Sequence, residues 1–397
     1  KGFELSGVAL KGNDSKRFKE IQERLSVLSN QFSKNVLQAT NSWKKSVSVD
    51  DLNGYGEAEL SKVREGSEYV VSLQIPVYID LMTYAENRDL REEVYRAYIS
   101  RASDVGITPV KFDNRQVMDE ILKLRSEMST LLGLSNYAEY SVQSKMVDSP
   151  EAVIDFLEKL VDLSHLQATT ELKDLEDFAG HSLMPWDLMF YSEKLKQKVF
   201  NFKSADLKPY FPESSVLSGL FETIQNLYNV NLTEVEEDCY HPDVRVIILE
   251  DENGPIGKIY FDVYARENKR GGAWMSDFQG LYKDSLPVAF VVCNLNSPKD
   301  GKPALFDFDE IVTIFHEFGH ALHHLLTKVT FPCAAGISGV PWDGVELPSQ
   351  YMENFCYERG VIDLISGHWE TGEKLPDELF NKVIDSKNFQ SGMQMLR

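Results

Sequence analysis

Four of the eight histidines in this chain fall within nine residues, in the run Phe315-His316-Glu317-Phe318-Gly319-His320-Ala321-Leu322-His323-His324. If the run is helical, His316 and His320 lie at i and i+4, and their imidazoles can aim at one metal ion from successive turns. Glu317 beside them has the placement of a general base that takes a proton from a water acidified by the metal. The chemistry implied is metal-assisted hydrolysis. The competing reading is a chance H-E-x-x-H on a solvated or salt-bridged face, and the surrounding pattern argues against it. Asp307 and Glu310 form a D-x-x-E start that predicts a helix from about Phe308. On that helix Thr313, His316, Glu317, His320, His323 and His324 share an arc of about 120°. Ile311, Ile314, Phe315, Phe318, Leu322, Leu325 and Leu326 occupy the other side. The helix is therefore expected to bury its back in a core and turn a histidine-rich face to a cavity.

Two histidines leave a catalytic zinc site one protein ligand short, with a further position kept open for water. The metzincin pattern would need Gly at 323 and His at 326, where this chain has His323 and Leu326. A carboxylate on a following helix is the other common solution, and Asp343-Gly344-Val345-Glu346-Leu347-Pro348-Ser349-Gln350 offers one. Pro348 marks a second helix start, which puts Glu346 at about its first turn and Glu346, Gln350 and Glu353 on one face. Spacing alone leaves Glu346 open between a metal ligand and a helix-dipole carboxylate, and Glu353 open to being a surface charge.

The elements that must position these residues fall into two stretches. Apolar residues at spacings of three and four predict helices over 16–43, 87–101, 116–132 and 151–178, the last announced by Ser149-Pro150-Glu151. Tyr78, Tyr84, Tyr95 and Tyr98 read as core aromatics, with a groove lining as the alternative. No fixed-period repeat is present. Beyond Asp243 the pattern changes to strand-like runs at 244–250 and 256–265, separated by Asp251-Glu252-Asn253-Gly254-Pro255, then at 272–275 and 287–294. The expected fold is mainly α, with a small sheet beside the H-E-x-x-H helix. Residues 1–87 are expected to form an N-terminal helical region and 88–397 a catalytic region.

Composition narrows the partners. Of 397 residues, 41 are Lys or Arg and 62 are Asp or Glu, a formal charge of −21. Such a surface repels phosphate backbones and anionic lipid, which argues against nucleic acid and membrane partners. Apolar runs such as 288–293 fall far short of the roughly 18 residues of a membrane span. The chain is expected to be soluble and cytoplasmic. Cys239, Cys293, Cys333 and Cys356, with no C-x-x-C pair, read as reduced, buried thiols. The absence of an initial Met, and an end at Met395-Leu396-Arg397, suggest a chain cut at both ends.

At the residues that follow the histidines the pattern becomes specific. H-E-F-G-H-x-x-H followed by G-I-S-G-V-P-W-D-x-V-E-x-P-S-Q-x-x-E-N resembles the M3 (thimet-type) metallopeptidases. The likeness extends through Pro185-Trp186-Asp187, Tyr191-Ser192-Glu193-Lys194, His241-Pro242-Asp243-Val244-Arg245, Arg270-Gly271-Gly272-Ala273-Trp274-Met275 and Gly301-Lys302-Pro303-Ala304-Leu305-Phe306. The resemblance implies one zinc ion held by His316, His320 and Glu346, with Glu317 as base. It implies a helical two-lobed body with a channel for short unstructured peptides, whose internal bonds are hydrolysed. His323 and Glu353 are candidates for supporting the ligands or the substrate. Gly272 and Ala273 lie in a sheet segment whose edge an extended peptide can bond. The family continues into a Gly/Tyr-rich loop that supplies a histidine and tyrosines for substrate and oxyanion, and no match to it occurs here. The alternative function is accordingly a non-catalytic peptide-binding or scaffold piece.

Overall fold

In the computed structural model, described for all residues except 107, 108, 202, 268, 284, 299 and 300 and the side chain of 58, the periodic runs of the first half become helices. The chain divides into two compact units, one comprising Lys1–Glu193, Pro341–Asp343 and Gln390–Arg397, the other Lys194–Val340 and Gly344–Phe389.

In the first unit, the helix Gly12–Ser42 sets Phe18, Ile21 and Leu28 against Val117, Leu124 and Met128 of the helix Arg115–Leu131. Two bidentate pairs, Arg17–Glu127 and Arg24–Glu120, flank that seam. Exposed pairs of this kind are screened by water and contribute little, so the apolar seam does the holding. The helix Arg88–Ile99 begins at Asn87, whose side chain accepts from the Leu90 amide. Pro150–Ala179 begins at Ser149, which caps the Ala152 amide, has proline in its first turn, and stops at Gly180 with φ 77°. Each start and stop is the one its residue types favour. Tyr78 stacks on Tyr98 at 3.9 Å inside a core with Leu81, Val94 and Trp186. The unit also holds a three-stranded sheet, β1 (Lys44–Val47), β2 (Arg64–Glu65) and β3 (Glu68–Ser72), in the order β1-β3-β2. Strands this short carry too little alternation to be read from sequence.

The second unit is built on a five-stranded sheet: β4 (Asn231–Val235), β5 (Val244–Asp251), β6 (Gly254–Tyr264), β7 (Trp274–Gln279) and β8 (Val288–Leu295). Their order is β4-β5-β6-β8-β7, antiparallel except for the parallel pair β6–β8. The expected strands at 244–250, 256–265 and 287–294 correspond to β5, β6 and β8 within two residues. The one expected at 272–275 lies two residues further on and runs longer, because Ser276–Gln279 is exposed and lacks apolar alternation. One face of the sheet buries Ile247, Leu249, Ile259, Phe261, Ala289, Val291 and Cys293. Against these pack Ile311, Ile314, Phe315 and Phe318 of the helix Phe308–Leu325, together with Val216, Leu220 and Ile224 of Glu213–Tyr228.

A buried charge cluster stabilises the chain where it leaves β6. Asp262 accepts from both terminal nitrogens of Arg266 at 2.6 and 2.7 Å, from Lys269 Nζ at 2.8 Å and from the Tyr240 hydroxyl at 2.9 Å. All four cysteines are free. Cys293 and Cys356 are buried as expected, whereas Cys239 is only half-buried and Cys333 is exposed because it lies in a short 3-10 turn outside the core. Among the described residues no helix is long and apolar enough to cross a membrane.

Candidate metal centre

The helix Phe308–Leu325 starts as its sequence dictates. Asp307 accepts from the Glu310 amide at 2.8 Å, and Glu310 returns a bond from the Asp307 amide at 2.9 Å. These reciprocal bonds satisfy amide donors that the first turn would otherwise leave open. Its apolar back lies in the core, with Ile311, Ile314, Phe315 and Phe318 all fully buried. This orientation brings His316 and His320 side by side, their rings 4.9 Å apart and nearly perpendicular.

A second helix, Leu347–Glu353, crosses close by, and Gly319 is what permits it. A Cβ on Gly319 would stand 2.5 Å from Ser349 Cα and 2.6 Å from the Pro348 carbonyl oxygen. With no side chain there, the start of the second helix comes within reach of the histidines. Glu346, the residue just before that helix, places one carboxylate oxygen 3.2 Å from His316 Nε2 and 3.0 Å from His320 Nε2. The Ser349 hydroxyl, 2.8 Å from that same oxygen and from the Glu346 carbonyl, orients the carboxylate.

Two imidazole nitrogens and a carboxylate oxygen thus lie within 4.8 Å of one another. Tetrahedral bonds of about 2.1 Å would separate ligand atoms by about 3.4 Å, close to the 3.2 and 3.0 Å between the Glu346 oxygen and the two imidazole nitrogens, so a zinc-sized ion suits this set. Two imidazoles and one carboxylate form a donor set suited to zinc. Glu353, expected on the same helix face, lies against the far side of His316, with its oxygen 2.6 Å from Nδ1. A proton on Nδ1 leaves the Nε2 lone pair turned toward His320 and Glu346.

Glu317 is almost fully buried, and one of its carboxylate oxygens has no hydrogen-bond partner. Burial pushes its carboxyl up to about 7; neighbouring His316 opposes this, Glu346 adds to it, and the nearby Met275 amide of β7 opposes it. Burial likewise holds His320 below the ordinary histidine range. His323 is half-buried, outside the converging set, and burial lowers its pKa as well. Gly272 and Ala273 lie directly before β7, with the Gly272 carbonyl bonded to the Asn294 side chain at 2.6 Å.

One expected position needs correction. The helical arc put His324 on the cavity face, yet it is fully buried, because the end of β7 and the loop at Ile337 close over the last helical turn. Two contributions were not read from sequence. Ser349 sits three residues after the residue it orients, and that spacing is its only sequence signal. The influence of Met275 on Glu317 comes from a backbone amide, which leaves no mark on residue type.

The sequence profile described as Peptidase family M3 matches residues 81–397. The chain is 47% identical to oligopeptidase A of Escherichia coli K12, an alignment covering 100% of this chain and 61% of that protein. It is 38% identical to a probable cytosolic oligopeptidase A of Arabidopsis thaliana, over 99% of this chain and 60% of that protein. Identity to the dipeptidyl carboxypeptidase of Escherichia coli K12 is 31%, over 99% of this chain and 60% of that protein. The chain therefore spans about three-fifths of the length of these relatives.

Proposed function

The chain belongs to peptidase family M3, and from that premise we propose that it carries the catalytic centre of a zinc-dependent oligopeptidase hydrolysing internal bonds of short, unstructured peptides. The observation that supports this reading above the rest is the convergence of His316, His320 and Glu346 beside a buried, otherwise under-bonded Glu317. Zinc held by those three side chains would acidify a water and polarise a carbonyl.

The protein's own residues supply the remaining work. Glu317, buried beside the converging ligands, can accept a proton from the attacking water and release it to the departing amine. Glu353 fixes the ring of His316 through Nδ1, and Ser349 fixes the carboxylate of Glu346. β7 ends the sheet, with no further described strand beyond it. Its free edge suits an extended peptide, which would bond to it as an added strand next to the Met275–Glu317 contact. Greater identity to an oligopeptidase than to a dipeptidyl carboxypeptidase favours internal cleavage. Two buried free thiols and the name of the Arabidopsis relative support a cytoplasmic setting.

Elemental analysis combined with cleavage of an internally quenched peptide amidated at its C-terminus tests this proposal. One zinc per chain, chelator-sensitive cleavage and loss of cleavage in Glu317→Gln are expected. Zinc bound without cleavage that Glu317 controls would turn the reading toward a peptide-binding role.

A further inference from the structure

β7 depends on more than its ladder. Its pairing with β8 slips between Asp277 and Gln279, so the strand partner alone does not fix where its last residue lies. That is where His324 intervenes. It is fully buried in the last turn of the helix Phe308–Leu325, with Nε2 2.9 Å from the Gln279 carbonyl oxygen and Nδ1 3.4 Å from the Ile337 amide nitrogen. One tautomer satisfies both contacts: Nε2–H donates to Gln279 and Nδ1 accepts from Ile337. The loop can come this near only through Gly336, at φ +60°, where a Cβ would stand 2.5 Å from His324 Nδ1.

The same helix also comes near β7 at a second point, where the Met275 amide lies close enough to Glu317 to oppose the rise of its pKa. Glu317 and His324 are seven residues apart, about 10 Å along a helix. Met275 and Gln279 are four apart, about 13 Å along a strand. The strand therefore runs alongside the helix that carries the base, and the His324–Gln279 bond ties its last residue to that helix. At the near end, Asn294 Nδ2 donates to the carbonyls of Arg270 and Gly272 at 2.8 and 2.6 Å.

We infer that His324 is a positioning residue that fixes the far end of β7 to the active-site helix, so that a peptide lying along β7 meets Glu317 in one register. This rests on the peptidase reading for its consequence, but not for its structural content. A simple packing role would make His324 replaceable by any side chain that fills the space. A clasp requires the hydrogen-bonding atoms.

The test compares His324→Leu, which keeps bulk without polar atoms, with His324→Gln, which keeps an N–H for the Gln279 carbonyl, in the zinc-loaded chain. Two quenched peptides are used, one ending near the scissile bond and one long enough to reach Gln279. His324→Leu is expected to raise KM for the long peptide about tenfold, the loss of about one good hydrogen bond, with kcat, zinc content and the short peptide little changed. His324→Gln is expected to recover most of that loss. Amide exchange supplies the arm that needs no turnover. Exchange at residues 276–279 should quicken about tenfold in His324→Leu and return toward the original rate in His324→Gln, while β8 is unaffected. Equal behaviour of the two variants, or unchanged exchange in β7, overturns the proposal. If the unaltered chain cleaves neither peptide, the peptidase reading fails and exchange alone decides the clasp.

Discussion

Glu353 Oε1 lies 2.6 Å from His316 Nδ1, on the side of the ring away from Glu346 and His320. A carboxylate in that place does not bind the metal. It selects the tautomer that leaves Nε2 free and fixes the orientation of the ring. The centre is thus built outward: helix to imidazole, imidazole to carboxylate, and a hydroxyl from Ser349 on the remaining ligand.

Removing the support should therefore weaken metal binding without removing a ligand. Glu353→Ala is expected to lower zinc affinity about 10- to 100-fold, measured by competition with a chromophoric chelator. Glu353→Gln retains an acceptor and should lose less. His316→Ala should abolish both zinc binding and cleavage. If Glu353→Ala bound zinc as tightly as the unaltered chain, the 2.6 Å contact would have no bearing on the centre.

Gly319 gives a second prediction. Its missing side chain is occupied by the backbone of Pro348 and Ser349, at 2.5–2.6 Å from where a Cβ would be. Gly319→Ala improves helix propensity by about 1 kcal/mol, but overpacking against rigid backbone costs about 1–3 kcal/mol. The helices must separate, carrying Glu346 away from the histidines. We expect a lower melting temperature and a larger relative loss of zinc affinity than of stability. Zinc titration followed by thermal unfolding of the apo and loaded forms distinguishes the two effects.

What could be read before folding is what side-chain period and spacing encode. His316, Glu317 and His320 announce themselves because two metal-binding side chains one turn apart have few other uses, and Asp307 with Glu310 fixes the helix beneath them. Glu346 was readable only as a candidate. Its distance from the histidines depends on the crossing at Gly319, a tertiary contact that no local pattern encodes. His324 shows the limit of the helical arc. The arc gives the direction of a side chain but not what lies there, and the end of β7 covers the last turn. Likewise β4, whose residues Asn231–Val235 are mostly outside the core, has no apolar alternation to reveal it.

Asp262 yields a stability prediction at acid pH. Although burial raises its pKa, Arg266, Lys269 and Tyr240 more than compensate and hold the carboxyl down at about 2, against an ordinary 3.8. A depressed folded-state pKa means that the ionised form stabilises the fold. The contribution is complete above about pH 4 and is lost as pH falls toward 2. It amounts to about 2 kcal/mol at 1.4 kcal/mol per pKa unit. Asp262→Asn should lose stability at neutral pH and show a flatter decline between pH 4 and 2 in urea unfolding. Because Lys269 is then buried without its counter-charge, the neutral-pH loss should exceed the linkage figure, at about 3–5 kcal/mol.

Glu317 has the opposite sign. Burial raises its carboxyl from 4.5 to about 7 in the metal-free chain. The folded state then holds its proton more tightly than the unfolded chain, so stability is full below about pH 4.5 and falls as pH rises through 7. The loss approaches about 3 kcal/mol. Glu317→Gln removes the titration and keeps the shape. In the absence of metal, it should unfold at higher urea concentration than the unaltered chain at pH 8 and at nearly the same concentration at pH 4.5. Added zinc should shrink the difference at pH 8, because a cation beside the carboxylate favours its ionised form. Cleavage should respond in the other direction, falling by about a hundredfold or more in Glu317→Gln at every pH. A variant more stable than its parent yet nearly inactive would place the cost of burying this carboxylate where the proton transfer needs it. A variant with the same stability as its parent at both pH values would mean that burying Glu317 carries no cost for its ionised form.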